Sequence, residues 1–394
     1  MHLLSSFPNP ETAIEPLFSL QVQSLPPLLA MSSIQFGSPR PPFDPKLWLT
    51  AVWAVALVFL RQGAAASLAW PRNVTVPAAF AFGDSVMDPG NNNGLATVAK
   101  CNFPPYGRDL DPSVPLGRCS NGRVPSDMLA ETLGVKKFLP AYLDPNLELQ
   151  DLLTGVSFVS GANGYDPLPA KLALVLSLSD QLDLYSEYME TICLEVGVER
   201  ASAIASKSVY ILCNTYFATL LRRSKYDVSS YTDLLVSWAS SFLRELYGLG
   251  ARKIGVLSLP PVGCLPSQRT LHGGPKRDCF DSANKAAVLF NSKLCAEIDS
   301  LREDLPGARL VYMDIYYLLL AIIQDPARFG FEVSTKGCCG TGNIEVSYLC
   351  NRLDHPVTCD DDTKYVFWDS FHPTEATYQT LANQIYGKYA RELF

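Results

Sequence analysis

The chain reads as an α/β protein, a three-layer α/β/α sandwich built on a five-stranded, mainly parallel sheet. Five short runs rich in apolar, β-prone residues have the length and composition of buried strands: Ala78–Phe82, Gly155–Val159, Ser208–Leu212, Lys253–Leu259 and Leu310–Ile315. Stretches of helical period alternate with them, and such alternation builds βαβ units whose parallel strands are covered on both faces. The chain has 394 residues, 48% of them apolar, enough for one large core, and neither a repeat nor a linker divides residues 71–394.

Residues 1–46 are rich in Pro, Ser and Leu without sustained period and read as a disordered extension, with Met31 a second possible start. Arg40 and Lys46 then precede an apolar run over 47–60, and small residues follow at 64–69. A basic flank, an apolar run and a small-residue site describe a secretory signal peptide, so residues 1–70 are assigned to the leader. The run is short of the roughly 20 residues a transmembrane helix needs. An uncleaved signal anchor is the alternative if Met1 is the true start. Asn73-Val74-Thr75 is a glycosylation acceptor just beyond.

The first strand runs into Phe82-Gly83-Asp84-Ser85-Val86-Met87-Asp88-Pro89-Gly90-Asn91-Asn92-Asn93. A serine just past a strand's carboxyl end sits where open α/β folds hold ligands, although Gly-Asp-Ser alone is more often a surface turn than a nucleophile. The second strand ends in Ser160-Gly161-Ala162-Asn163 and the third in Cys213-Asn214-Thr215. Tyr231–Leu249 carries Leu234, Leu235, Trp238, Phe242, Leu246 and Leu249 at three- and four-residue steps, a core-facing helical stripe. Near the C-terminus stands Asp369-Ser370-Phe371-His372. An Asp three residues before a His can hold the imidazole in one tautomer and leave its other nitrogen to take a serine's proton. A helix cap and a half-exposed imidazole are the plain alternative. With Ser85, these residues make a Ser…Asp…His acyl-transfer set, and no Gly-x-Ser-x-Gly elbow is present.

Phe-Gly-Asp-Ser with its trailing Asp-x-Gly-Asn-Asn-Asn, and Asp-x-x-His-Pro-Thr near the end, resemble the plant GDSL esterase/lipase family of SGNH hydrolases. The likeness is to its extracellular-lipase, anther-type branch and covers roughly residues 76–394. Segments at 122–127, 153–158, 259–264 and 336–340 occur in the family's order. The resemblance implies a flavodoxin-like SGNH hydrolase fold and a secreted carboxylic ester hydrolase with catalytic Ser85, Asp369 and His372. The backbone N–H groups of Ser85 and Gly161 would hold the oxyanion, and Asp88 would organise the loop beneath Ser85. One departure stands out. The family usually follows the third strand with a Gly-Ser-Asn/Asp-Asp-type segment whose Asn supplies a third oxyanion donor. Here several residues are missing after Cys213, and Asn214 aligns with a later position, so it substitutes only if the strand end is remodelled. Weakened turnover is expected, and a non-catalytic secreted protein that binds esters, lipids or polysaccharide is the alternative.

Eleven cysteines suit an exported protein, and the odd count leaves a thiol over. Cys264 and Cys279 bracket a loop carrying His272, a solvent-facing residue, and are expected to pair. Cys338, Cys339, Cys350 and Cys359, with His355 nearby, read as two disulfides of open connectivity, since adjacent cysteines lack zinc-ligand spacing. Cys119 stands where the family commonly has Phe and is the candidate unpaired thiol. Asp360-Asp361-Asp362 reads as a solvated loop, calcium being the alternative. The formal charge of −7 argues against nucleic acid as a partner. No metal or organic cofactor is implied. The expected partner is an acyl-ester substrate, the mature chain a monomer without a membrane span, and its place the extracellular space or cell wall.

Overall fold

The computed structural model describes residues 75–394 except 113, 115, 216–221, 223 and 352–357. The signal-peptide core at 47–60, the acceptor Asn73 and His355 lie outside the described residues. Four parallel strands form the main sheet in the order β1 (Ala79–Gly83), β2 (Val209–Cys213), β3 (Lys253–Leu257) and β4 (Arg309–Met313). The expected second strand lies along the free edge of β1. It registers there as a single bridge, Ala81 to Ser157, with Phe158 N–H donating to Ala81 C=O (2.9 Å) and Ser160 N–H to Gly83 C=O (3.1 Å). Ser157 also bridges to Ala141 on its far side. The spatial order, with 155–159 outermost beside β1, gives the 2-1-3-4-5 arrangement of flavodoxin-like sheets.

Alternate residues of the strands face opposite layers, as pleating requires. Phe80, Phe82, Tyr210, Leu212, Ile254 and Val256 enter one core. Helices α4 (Leu178–Val196), α6 (Val228–Gly248) and α8 (Asp281–Asp304) cover them. The stripe on α6 packs as its spacing predicts, with Leu235, Phe242 and Leu246 buried. Ala79, Ala81, Val209, Ile211, Val311 and Met313 enter the other core. There α1 (Pro125–Thr132) and the C-terminal α10 (Glu375–Leu393) cover them. The remaining helices are α2 (Leu149–Leu153), α3 (Pro167–Ala173), α5 (Val198–Lys207), α7 (Pro266–His272) and α9 (Tyr316–Gln324).

A second, two-stranded parallel sheet, β5 (Val333–Gly337) with β6 (Tyr365–Phe367), was not anticipated from the sequence. It leads straight to Asp369. Beside it a third buried cluster gathers Tyr106 and Trp368 with Cys101, Cys119, Cys338, Cys339 and Cys350. Disulfides join Cys338 to Cys359 and Cys339 to Cys350, while Cys264 pairs with Cys279. Cys119 corrects its expected role: it is bonded to Cys101 across the loop that carries Tyr106. Among the described residues the free thiols are Cys193, Cys213 and Cys295. The triplet at 360–362 is likewise only partly a solvated loop, because Asp362 is buried and takes a hydrogen bond from Arg108 Nε at 2.8 Å. His272 ends α7, exposed, with its ring stacked on Phe280.

Candidate active site

β1 ends on Gly83, whose φ of 125° places it where L side chains are strained; a Cβ there would lie 1.6 Å from the Cys213 carbonyl oxygen. Only glycine lets β1 run this close to the end of β2. The chain then turns sharply. Asp84 N–H donates to Cys213 C=O (3.1 Å), and Met87 N–H donates to Asp84 C=O (3.1 Å). The buried Asp84 carboxylate accepts from the Thr215 hydroxyl (2.7 Å), the Thr215 N–H and the Val86 N–H (3.2 Å). Burial still raises its pKa above the usual carboxylate value, against those hydrogen bonds and the nearby His372. Ser85 emerges half-buried at the sheet's carboxyl edge.

The Asp-x-Gly-Asn-Asn-Asn run ties this turn to the neighbouring edge segment. Asn91 Nδ2 donates to the carbonyls of Ser157 (2.8 Å) and Val159 (2.7 Å). Asn92 Nδ2 donates to Gly161 C=O (3.1 Å), and Asn92 Oδ1 accepts from Ser160 Oγ (2.5 Å). Asp88 Oδ1 accepts from the N–H groups of Gly90 (2.7 Å) and Asn91 (2.9 Å). Its Oδ2 accepts from Gly161 N–H at 3.0 Å. Gly161 is thus beside the serine, since a Cβ on it would lie 3.3 Å from Ser85 Cβ, but its N–H is engaged by Asp88. Serving an oxyanion requires that bond to be shared or exchanged. Burial pushes Asp88 up to about 6, against three N–H donors and Arg118. Among the described residues the Ser85 N–H meets no hydrogen-bond acceptor.

Asp369 and His372 come from the turn between β6 and α10, both buried. Asp369 Oδ1 accepts from the backbone N–H groups of Phe371 (2.7 Å) and His372 (2.6 Å), closing a tight turn. The helix cap is Thr374 instead, whose hydroxyl accepts from Thr377 N–H (3.3 Å). Asp369 Oδ2 lies 2.8 Å from His372 Nδ1, and His372 Nε2 lies 2.7 Å from Ser85 Oγ. A carboxylate only accepts, so Nδ1 carries the proton and Nε2 is left as the acceptor of the serine hydroxyl. The three residues named from sequence therefore meet in one hydrogen-bonded chain.

Tyr106 was missed. Its buried hydroxyl donates to Asp369 Oδ2 (2.8 Å) and accepts from Ser347 N–H (2.8 Å). Burial first, and then the Asp369 charge, raise its pKa well above the phenolic value, so it stays a donor. Nothing in Pro104-Pro105-Tyr106-Gly107 signals a partner 263 residues away. Asn214 is buried at the end of β2, one residue before the Thr215 that holds Asp84. Among the described residues no cluster of three His, Cys, Asp or Glu side chains could hold a metal ion.

The pattern of GDSL-like lipases and acylhydrolases matches residues 80–385. The GDSL esterase/lipase EXL3 of Arabidopsis thaliana is 52% identical over 329 residues, 82% of this chain and 90% of its own length. A second GDSL esterase/lipase of that plant is 48% identical over 330 residues, covering 82% of this chain and 88% of its own. EXL2, a third, is 46% identical over 340 residues, 81% and 89% of the two chains. With its Gly-Asp-Ser turn, its parallel sheet and this breadth of likeness, the chain belongs to the GDSL-like lipase/acylhydrolase family.

Proposed function

We propose that the protein is a secreted serine esterase or lipase that hydrolyses carboxylic acyl esters with Ser85, His372 and Asp369. The observation that carries this reading is the unbroken hydrogen-bonded chain from Ser85 Oγ through both imidazole nitrogens to Asp369. His372 Nε2 takes the hydroxyl proton as Ser85 Oγ bonds to the ester carbonyl carbon. The tetrahedral oxyanion rests on the N–H of Ser85 and, once Asp88 shares it, on that of Gly161. The imidazolium then protonates the leaving alkoxide, and the acyl-serine forms. Water, deprotonated by His372, attacks that ester and releases the acid. Asp369 steadies the imidazolium throughout. No step calls for a metal or organic cofactor. The leader at 1–70 and the four disulfides support export. No described helix is long and apolar enough to cross a membrane. A monomer acting outside the cell or at its wall fits these features.

Turnover is weakened by the segment missing after Cys213, because loss of one oxyanion donor costs about 10²–10³ in rate. Asn214 replaces that donor only if the end of β2 is remodelled to bring it to the site. The same gap favours the second reading, a binding protein that keeps the pocket without turnover. Hydrolysis of p-nitrophenyl butyrate by the purified protein tests both. A rate that rises about 100-fold or more when a Gly-Ser-Asn-Asp segment is inserted after Cys213 supports the weakened enzyme. A wild-type rate equal to that of a relative with the segment contradicts it, and a rate indistinguishable from that of the Ser85→Ala protein supports the binding protein.

A further inference from the structure

Three segments beside the site turn apolar side chains to solvent. Val98, Leu172, Leu174, Tyr348 and Leu349 are each exposed over more than half of their surface, from 54% at Leu349 to 79% at Val98. Hydrogen bonds stitch the segments together. Thr97 Oγ1 donates to Ala173 C=O (2.7 Å), between the two leucines, and Ser347 Oγ, just before Tyr348, donates to Val98 C=O (2.7 Å). The same segments are tied to both halves of the site. Asn92 Nδ2 donates to the carbonyls of Ala99 (2.7 Å) and Gly161 (3.1 Å), and Leu176 N–H donates to Ser160 Oγ (3.1 Å). On the other side Ser347 N–H donates to the Tyr106 hydroxyl that holds Asp369, and Ser370 N–H donates to Glu345 C=O (2.8 Å). Leu174 has no internal reason to be leucine. It follows α3 in the left-handed region (φ 58°), which favours glycine or asparagine, and its side chain faces water.

Gathered apolar side chains at a protein surface mark a place of association, and the charges indicate with what. The whole chain carries −7, yet over 95–100, 167–177 and 343–349 the charged residues are Lys100, Lys171 and Glu345. The Glu345 carboxylate is spent on the Thr341 hydroxyl (2.7 Å) and on the N–H groups of Thr341, Asn343 and Ile344, whereas Lys171 is exposed. An apolar face with a free cation and no free carboxylate fits an uncharged ester layer in which carboxylate product collects. We propose that this surface seats the protein on the boundary between water and aggregated, uncharged acyl esters, bringing the ester layer to the sheet edge that carries Ser85. The proposal takes the ester from the hydrolase reading above, but adsorption needs no turnover. Its strength scales with the apolar area taken into the layer.

The test measures adsorption to triolein droplets with the Ser85→Ala protein, so that nothing is hydrolysed, by spinning down the emulsion and assaying what stays in solution. Adding Leu172→Ser and Leu174→Ser is expected to weaken adsorption about 100-fold, since each leucine moved from water into lipid is worth about tenfold. Leu194→Ser with Val198→Ser is the control. Those side chains are at least as exposed but lie at the α4–α5 turn, ahead of the amino end of β2, and their loss should leave adsorption unchanged. With Ser85 present, the ratio of rates on tributyrin above and below its solubility limit should fall in the first double variant and hold in the second. Circular dichroism melts check that each variant is folded. No adsorption by the Ser85→Ala protein, an equal loss in both double variants, or no loss in the first overturns the proposal. So does tighter binding to phosphatidylcholine vesicles than to triolein. A dimer in light scattering that the first double variant abolishes assigns the surface to a second copy of the chain and overturns it too. Adsorption without any hydrolysis by the wild type supports the surface and contradicts the hydrolase reading alone.

Discussion

Ser85 is delivered by the main sheet, whereas Asp369 and His372 hang from a loop outside it. On the serine side the supports are backbone register, the close approach of Gly83 to Cys213, and buried polar side chains: Asp84 on Thr215, Asp88 on Gly161. On the histidine side they are covalent and aromatic. Cys338 and Cys339 donate backbone hydrogen bonds to the carbonyls of Phe367 (3.0 Å) and Trp368 (2.7 Å), just before Asp369. Three disulfides bound the loops that pack there. That loop is as buried as the strand end, and cross-links back the hydrogen bonds that fix Asp369, those from Tyr106, Phe371 and His372. The comparison teaches that one site can be held by two independent kinds of order.

The largest effect should come from removing the reacting groups. Ser85→Ala and His372→Ala each lower ester turnover by about 10⁴-fold or more, and the double variant is no worse than either. Additive losses in that cycle would mean that the two halves do not act as a unit. Next comes the staple. Replacing Cys339 and Cys350 together by Ser costs about 2–4 kcal/mol, and the loss should be local. Activity and Trp368 fluorescence should then fail at lower urea than the far-UV signal of the sheet, while the wild type loses all three together.

The serine side is probed by pH. Asp88 is held near 6, above the usual 3.8, so the folded chain keeps its proton where the unfolded chain has released it. That stabilisation is complete below about pH 4 and lost as pH rises through about 6, a change of about 3 kcal/mol. Asp84, raised for the same reason, adds in the same direction. The stability difference between wild type and Asp88→Asn, taken from urea midpoints, should therefore shift against the wild type between pH 4 and 7. A difference independent of pH would remove Asp88 from the account. The smallest effect is expected at Tyr106→Phe, which deletes the hydrogen bond to the Asp369 carboxylate, worth about 1.5–3 kcal/mol, and the one accepted from Ser347 N–H. Turnover should fall about tenfold with KM nearly unchanged.

Much of this was legible in the chain because its signals are local. The runs at 78–82, 208–212, 253–259 and 310–315 are apolar over a strand's length, and each became a strand with ends within two residues of those expected. The helix expected over 231–249 forms as Val228–Gly248 for the same reason. Segment 155–159 bonds along β1 and registers there as one bridge, with Ser157 facing Ala81 on one side and Ala141 on the other. What stayed hidden depends on contacts far apart in sequence. Tyr106 has no periodic context, and the Cys101–Cys119 bond was masked by reading position 119 against a family habit. The strands β5 and β6 are three to five residues long and separated by a disulfide-rich loop, too brief for pattern to register. The hold of Asp88 on Gly161 could not be read either, because which acceptor an N–H finds is decided by the folded edge.

The central claim is that Ser85 is a nucleophile activated by an imidazole brought from the loop half. Its most direct measurement is covalent labelling with a fluorophosphonate, followed by peptide mass mapping of the folded, purified protein. The account predicts one adduct, on Ser85, that disappears in both Ser85→Ala and His372→Ala. Folded protein that stays unlabelled, or an adduct on Ser85 that forms at full rate without His372, would contradict it.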